Sequence, residues 1–279
     1  MKNLMIPFFA VMLFFSSCSP KVYYQVFETG TINEEVKRRG DHLVYEDDKC
    51  LVSYNFWGES GDMSFSVENK TNQPLYLDLG QSYFVLNGQA KDYYQQRVFT
   101  YSTGTSVGGS KSASASKSVT GVDYAGWLIT GGVSAQLATA LSTSQSNSVS
   151  FPEEEVVCIP PKTSKMVSEF SIYSARIRDC DLLLYPKRKQ ISSLRFEEDN
   201  SPVVFENRLV YRVGEEPATK LKHRFFVSEI ANMPKWQFVE LKKESFCGEE
   251  SVLEKEFFKE TSPDKFYIRY EKGNETWEH

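Results

Sequence analysis

The pentapeptide Gly104-Thr105-Ser106-Val107-Gly108 has the G-x-S-x-G spacing of a serine nucleophile, so Ser106 is the first residue to weigh for chemistry. Such a serine needs a core strand before it and a helix directly after it, because the strained turn between them lifts Oγ above a parallel sheet beside an oxyanion hole. The stretch "QRVFTY" supplies the strand, but "GGSKSASASKS" comes after it, and its glycines and alternating serines do not start a helix. His223 stands downstream in the chain order a base would need, yet it sits in the charged stretch "KLKHRFF", where a histidine reads as a solvated neighbour. Thirteen serines between 102 and 150 make chance matches expected. "SASK" at 114–117 imitates an S-x-x-K pair, and "GTSVGGSK" displaces the lysine of a phosphate-binding loop by one position. No catalytic residue is assigned.

The three histidines, His42, His223 and His279, lie near no cysteine at metal-ligand spacing, and there is no C-x-x-C; no metal site and no cofactor are expected. Acidic clusters at 45–48, 152–155 and 197–201 lack the spacing of a calcium loop and read as solvated turns. Cysteine is the remaining reactive type. Cys18 follows a single basic residue, Lys2, an apolar run from Leu4 to Phe15, and two serines, which is the arrangement of an export signal. A dozen apolar residues rise only about 18 Å as a helix, short of a bilayer span, so residues 1–17 are not a transmembrane anchor.

The junction "FSSC" resembles the lipobox of bacterial lipoproteins. That resemblance implies a peptidase cut before a diacylated Cys18, followed by acylation of its new amino group. Two or three acyl chains hold a protein at a membrane far more firmly than one, since each buried methylene is worth about 0.8 kcal/mol. Export also makes Cys50, Cys158, Cys180 and Cys247 candidates for two disulfides. Three pairings are open; Cys158 with Cys180 is favoured, because the two sit on consecutive expected strands. The net charge of −5 becomes −6 when Lys2 leaves, and the charges are interspersed, which argues against nucleic acid as a partner.

The elements that must position any site are strands. Met63, Phe65 and Val67 alternate with polar residues, as do Leu75, Leu77 and Leu79, and Leu209, Tyr211 and Val213. Turn signals punctuate them, the clearest being Asn87-Gly88, whose residues suit the positive φ angles of a type I′ hairpin. About ten such strands fall between 42 and 242. The fold class expected is all-β, an antiparallel immunoglobulin-like sandwich over 41–242. Residues 18–40 form a tether with a short helix at 31–40, where Thr31 and Glu34 make a capping box and Gly40 a stop. The tail, 243–279, mixes the helical-looking "EESVLEKEFFKE" with a last strand, "KFYIRYEK".

Residues 102–150 read as a Ser/Gly-rich insertion containing a short helix, in which Ile129, Val133, Leu137 and Leu141 share a face. A cover over the sandwich or a partner-binding lid fits better than a membrane-inserting hairpin, because Lys, Ala, Gln and Asn alternate with the serines. Aromatic pairs at 23–24, 93–94, 225–226 and 257–258 read as filling a core or an interface, although exposed members could stack on sugars or peptides.

The motifs "YEDDKC", "NFWGESG", "NKTNQPLYLDL", "SYFVLNG" and "DYY", over residues 40 to 101, resemble an uncharacterised group of lipoproteins from gut Bacteroidota. The resemblance implies a lipid-anchored β-sandwich and brings no catalytic residues. In that phylum acidic residues after the lipidated cysteine accompany surface export, whereas "SPKV" follows Cys18, so an outer-membrane position facing the periplasm is expected. The sequence thus reads as a non-enzymatic envelope module, held by its N-terminal lipid, that binds or scaffolds a protein or glycan. The alternatives are an envelope hydrolase or a membrane-inserting protein using 102–150. A Cys18→Ala chain is expected to carry no acyl group and to stay out of the membrane pellet. Mass spectrometry of the wild-type N-terminus checks the premise, and an unmodified chain starting elsewhere than Cys18 overturns it.

Overall fold

The first strand, β1 (Val22–Thr31), leads into a meander of four short ones: β2 (Lys37–Arg39), β3 (His42–Glu46), β4 (Cys50–Tyr54) and β5 (Phe65–Asn69). The long β6 (Leu75–Leu86) and its hairpin partner β7 (Gln89–Asp92) come next, then a two-stranded ribbon of β8 (Val98–Thr105) and β9 (Gln145–Pro152). Short β10 (Val156–Ile159), β11 (Ser164–Val167) and β12 (Ser193–Arg195) precede long β13 (Val204–Val213) and β14 (Thr219–Pro234). One helical turn, α1 (Lys235–Phe238), separates β14 from a second ribbon, β15 (Val239–Phe246) and β16 (Glu249–Phe258), and the last strand is β17 (Lys265–Glu271). This computed structural model describes residues 21–105, 145–187, 190 and 193–273, with 101–105 and 145–149 described as backbone.

Two antiparallel sheets make an all-β sandwich. The larger has eight strands in the order β10-β6-β13-β14-β1-β17, with β7 beside β6 and β12 beside β14; the smaller has five, β11-β5-β4-β3-β2. Period-two alternation does what it should. Met63, Phe65, Val67, Leu75, Leu77 and Leu79 are all buried, as are Leu209, Tyr211 and Val213. Tyr54 and Phe56 from the smaller sheet's side meet Phe225 edge-on, and Phe56 meets Phe205, with ring centroids 5.0 to 5.6 Å apart. Each such side chain contributes about 1.5–3 kcal/mol when fully buried. The Asn87-Gly88 hairpin is present between β6 and β7, with φ of 47° and 83°.

Several local expectations yield to tertiary contacts. Residues 31–40 form no helix. Thr31 Oγ1 accepts from the Asn33 backbone N–H, and the Asn33 side chain accepts from Arg224 N at 2.6 Å and donates to the Lys222 carbonyl. This bends the chain off the β14 edge, after which β2 and β3 pair around Gly40. The expected tether is β1, a strand of the larger sheet paired to β14 on one side and β17 on the other. Its run Tyr23 to Phe27 is buried on both faces, which hides the alternation. "EESVLEKEFF" is strand β16 rather than helix, and β17 completes the larger sheet. Among the described residues α1 is the only helix, and the helix expected within 102–150 lies outside them. Both ends of that insertion are paired strand, from Val98 opposite Pro152 to Thr105 opposite Gln145.

The expected disulfides are absent among the described residues: Cys50, Cys158, Cys180 and Cys247 are all free thiols. Cys158 lies on edge strand β10. Cys180 lies on no strand; its segment is held through the carbonyls of Ile177, Leu183 and Leu184 by Gln25, Asn232 and Tyr270, on β1, β14 and β17. Three strand spacings, roughly 14 Å, separate β10 from β14, well beyond the reach of a disulfide. Cys247 occupies the β15–β16 turn with φ 52°, and Cys50 is buried inside the smaller sheet. Burial, seconded by the Asp47 carboxylate, pushes the Cys50 thiol up to about 12. Thiol titration of the native mature chain is therefore expected to find Cys158, Cys180 and Cys247 reactive, with Cys50 joining them only on denaturation. Fewer than four reactive thiols in the denatured, non-reduced chain would contradict the assignment.

Candidate functional site

A polar knot inside the sandwich and an apolar cavity at one end of the larger sheet both gather side chains that could act. In the knot, β4 contributes Tyr54, β14 His223, β13 Asn207, and the chain after β7 Tyr93; all four are 2% exposed or less. Asn207 Nδ2 donates to the Tyr54 oxygen at 3.1 Å, and Tyr93 donates to Asn207 Oδ1 at 3.0 Å. That leaves the Tyr54 hydroxyl to donate to His223 Nδ1 at 2.6 Å, which places the ring proton on Nε2 by inference from the network. His223 Nε2 is buried without a partner.

His223 is thus a core residue, against the reading of a solvated neighbour. Burial drives its pKa down to about 4, only partly opposed by the nearby Asp47 carboxylate, so the ring is neutral at pH 7. Tyr54 and Tyr93 are raised by the same burial. A histidine and a tyrosine this close could pass a proton. Neither reaches solvent, and the contacts they make join the two sheets.

The acidic clusters also do more than coat turns. Asp47 accepts from the backbone N–H groups of Lys49 and Cys50 and from the hydroxyls of Tyr45 and Tyr211. Burial would raise its pKa, but these four donors outweigh it and hold the carboxyl low. Glu153 is 5% exposed; burial again acts upward, and Arg97 with the backbone N–H groups of Arg97 and Gln95 overrides it. Arg97 also pairs with Glu169, which pins the foot of the β8–β9 ribbon.

The second place is a cavity of about 810 Å³. Pro234 ends β14, and α1 turns the chain away so that the β15–β16 ribbon leans out from the sandwich. Phe238 and Val239 stay against Tyr24 and Val26. The gap left between the ribbon, the start of β1 and the 186–187 segment is walled by Val22, Pro186, Pro234, Trp236, Val239 and Leu241. Trp236 is 48% exposed and Leu241 60%, so both keep apolar surface in the open beside the gap. Among the described residues, Lys21, Lys187, Lys235, Glu240 and Glu256 supply the charges of the lining. Lys235 pairs with Glu256, and Glu240 with Lys242 at 2.5 Å.

Among the described residues no group of three or more His, Cys, Asp or Glu side chains is placed to hold a metal ion. Cys18 and Ser106 lie outside the described residues. Of the aromatic pairs, Tyr23, Tyr24, Tyr93 and Phe225 are core, while Phe257 and Phe258 are each 37% exposed on β16. The ribbon that walls the cavity is hidden from a sequence reading because its second strand carries the charge spacing of a helix; the signal that could have shown the cavity is "MPKWQF", a proline and a tryptophan between two strand patterns. No family model matches the chain, and neither a curated protein nor a solved structure matches it.

The buried imidazole makes stability depend on pH with a definite sign. His223 titrates near 6.5 when unfolded and near 4 when folded, so between those values the unfolded chain binds more protons. Its contribution is complete above pH 6.5 and is lost as pH falls toward 4, by about 3 kcal/mol in all. Urea unfolding across that window should show the decline, and His223→Gln should flatten it while lowering stability at pH 7. An unchanged slope in the variant would exclude His223 as its source.

Proposed function

We propose that this chain is a lipid-anchored binding or scaffolding module of the cell envelope, not an enzyme, and that the cavity beside Lys21 is where it engages its partner. The observation that carries the reading is the cavity's place and chemistry: apolar walls, about 810 Å³, opening next to the first residues of β1. Pockets of several hundred cubic ångströms with mostly apolar walls are the usual form of a binding site. Lys21 lies three residues after Cys18, at most about 11 Å of extended chain. A lipid on Cys18 would therefore hold the cavity mouth close to the membrane surface, on its periplasmic side in the orientation expected from "SPKV".

The rival, an envelope hydrolase, would need polar groups converging in an open pocket. Among the described residues Tyr54, His223 and Asn207 converge but are sealed in the core, the cavity beside Lys21 has mostly apolar walls, and a polar pocket lined by Arg176, Arg269, Tyr270 and Glu271 holds no serine, cysteine or histidine. The mostly apolar stretch of wall would leave many hydroxyls of a glycan desolvated without partners. That favours a protein or lipid-like partner over a sugar. Among the described residues no helix is long and apolar enough to cross a membrane, so the anchor in this reading is the lipid.

A photoreactive residue at Trp236 in the acylated chain is expected to crosslink an envelope component in intact cells. Leu241→Glu, on the exposed ribbon, should lower that yield several-fold while membrane pelleting and the far-ultraviolet spectrum stay unchanged. Equal crosslinking in the two chains would remove the cavity from the function.

A further inference from the structure

The charges around the cavity narrow what can occupy it. Of the two carboxylates in the lining, Glu256 is paired with Lys235 and Glu240 with Lys242. Lys21 and Lys187 have no carboxylate partner among the described residues, and both line the same cavity. An apolar interior beside two unmatched ammonium groups is complementary to a molecule with one long apolar body and one anionic head. We infer that the cavity binds a single-chain anionic amphiphile, specifically a free long-chain carboxylate, with its hydrocarbon along Val22, Trp236, Val239 and Leu241 and its head between Lys21 and Lys187. The inference rests on the reading of this cavity as the binding site.

The physical division of labour is clear. Hydrocarbon removed from water provides affinity in proportion to its length, about 0.8 kcal/mol per methylene, which is a roughly fifteenfold gain for each two carbons that fit. The lysines provide orientation and selectivity for the charged head, at a cavity mouth where salt screens them in part. The ribbon explains why the wall is available at all. A two-stranded hairpin is marginal alone in water, and a chain laid along Trp236 and Leu241 would cover apolar surface that is exposed in the fold.

The test uses the mature chain bearing Cys18→Ala, so that no anchor chain competes, titrated calorimetrically with decanoate, dodecanoate and tetradecanoate below their micelle concentrations. Saturable one-to-one binding is expected, with Kd falling at least tenfold per two carbons until the cavity is filled. Lys21→Glu combined with Lys187→Glu should weaken carboxylate binding about tenfold or more and leave the alcohol of equal length unaffected; Leu241→Glu should weaken both. No saturable binding, affinity independent of chain length, or indifference to the lysine reversals would each overturn the inference. Binding to phosphatidylglycerol vesicles without binding to the free carboxylates would overturn it in favour of a bilayer lipid. If carboxylates fail to bind while the Trp236 crosslink persists, only the ligand class falls; if both fail, the binding-site reading falls with it.

Discussion

The knot of Tyr54, His223, Asn207 and Tyr93 is the constraint on which the rest of the sandwich depends. Apolar faces alone would let the two sheets slide, because burial is non-directional and many alignments hide similar areas. Hydrogen bonds from β4 to β14 and β13 remove that freedom, since a shift of one residue would strand a hydroxyl, an amide and an imidazole in a dry interior. The aromatic contacts of Tyr54 and Phe56 with Phe205 and Phe225 then close around a fixed alignment. His223 bears the cost of this arrangement, with one nitrogen unpartnered and a pKa far below that of a free imidazole.

With the sheets locked, departures from them become informative. The chain leaves the larger sheet at Pro234, where a residue without a backbone donor ends the ladder and one helical turn redirects it. The ribbon beyond that turn, β15 and β16, pairs only with itself among the described residues and carries Leu241, Phe246, Val252 and Leu253 in the open. Beyond its foot, where Val239 and Phe258 pack against Phe238 and its neighbours, the ribbon adds little to the core. It walls the cavity beside the start of β1. The other ribbon, β8–β9, is fastened differently: Arg97, Glu153 and Glu169 form an ionic clasp at its foot, with the buried carboxylate of Glu153 fully supplied with donors.

Legibility in the sequence divided along a physical line. Features whose cause lies within a few residues were readable: the alternation that buries Phe65 and Val67, the left-handed pair Asn87-Gly88, the turn-rich spacing of an all-β chain. Features whose cause lies far along the chain were not. Thr31 to Gly40 has the local marks of a helix, yet Asn33 bonds to Arg224 and Lys222, nearly two hundred residues away, and the helix is lost. β16 has the charge spacing of a helix and becomes a strand because β15 lies beside it.

The sequence by itself determined the class of fold, because period-two alternation and turn residues act through the chain's own geometry. It also supplied the candidates for chemistry, Ser106 among them, whose surroundings lie outside the described residues. Tertiary structure alone decided that the residues after Lys21 are a strand of the larger sheet, that His223 is sealed in the core, that four cysteines stand apart, and that an apolar cavity opens beside Trp236. Each of these depends on which distant segments become neighbours. Pairing between strands is set by the summed burial of both faces and the satisfaction of every backbone donor, quantities that no short window of sequence contains.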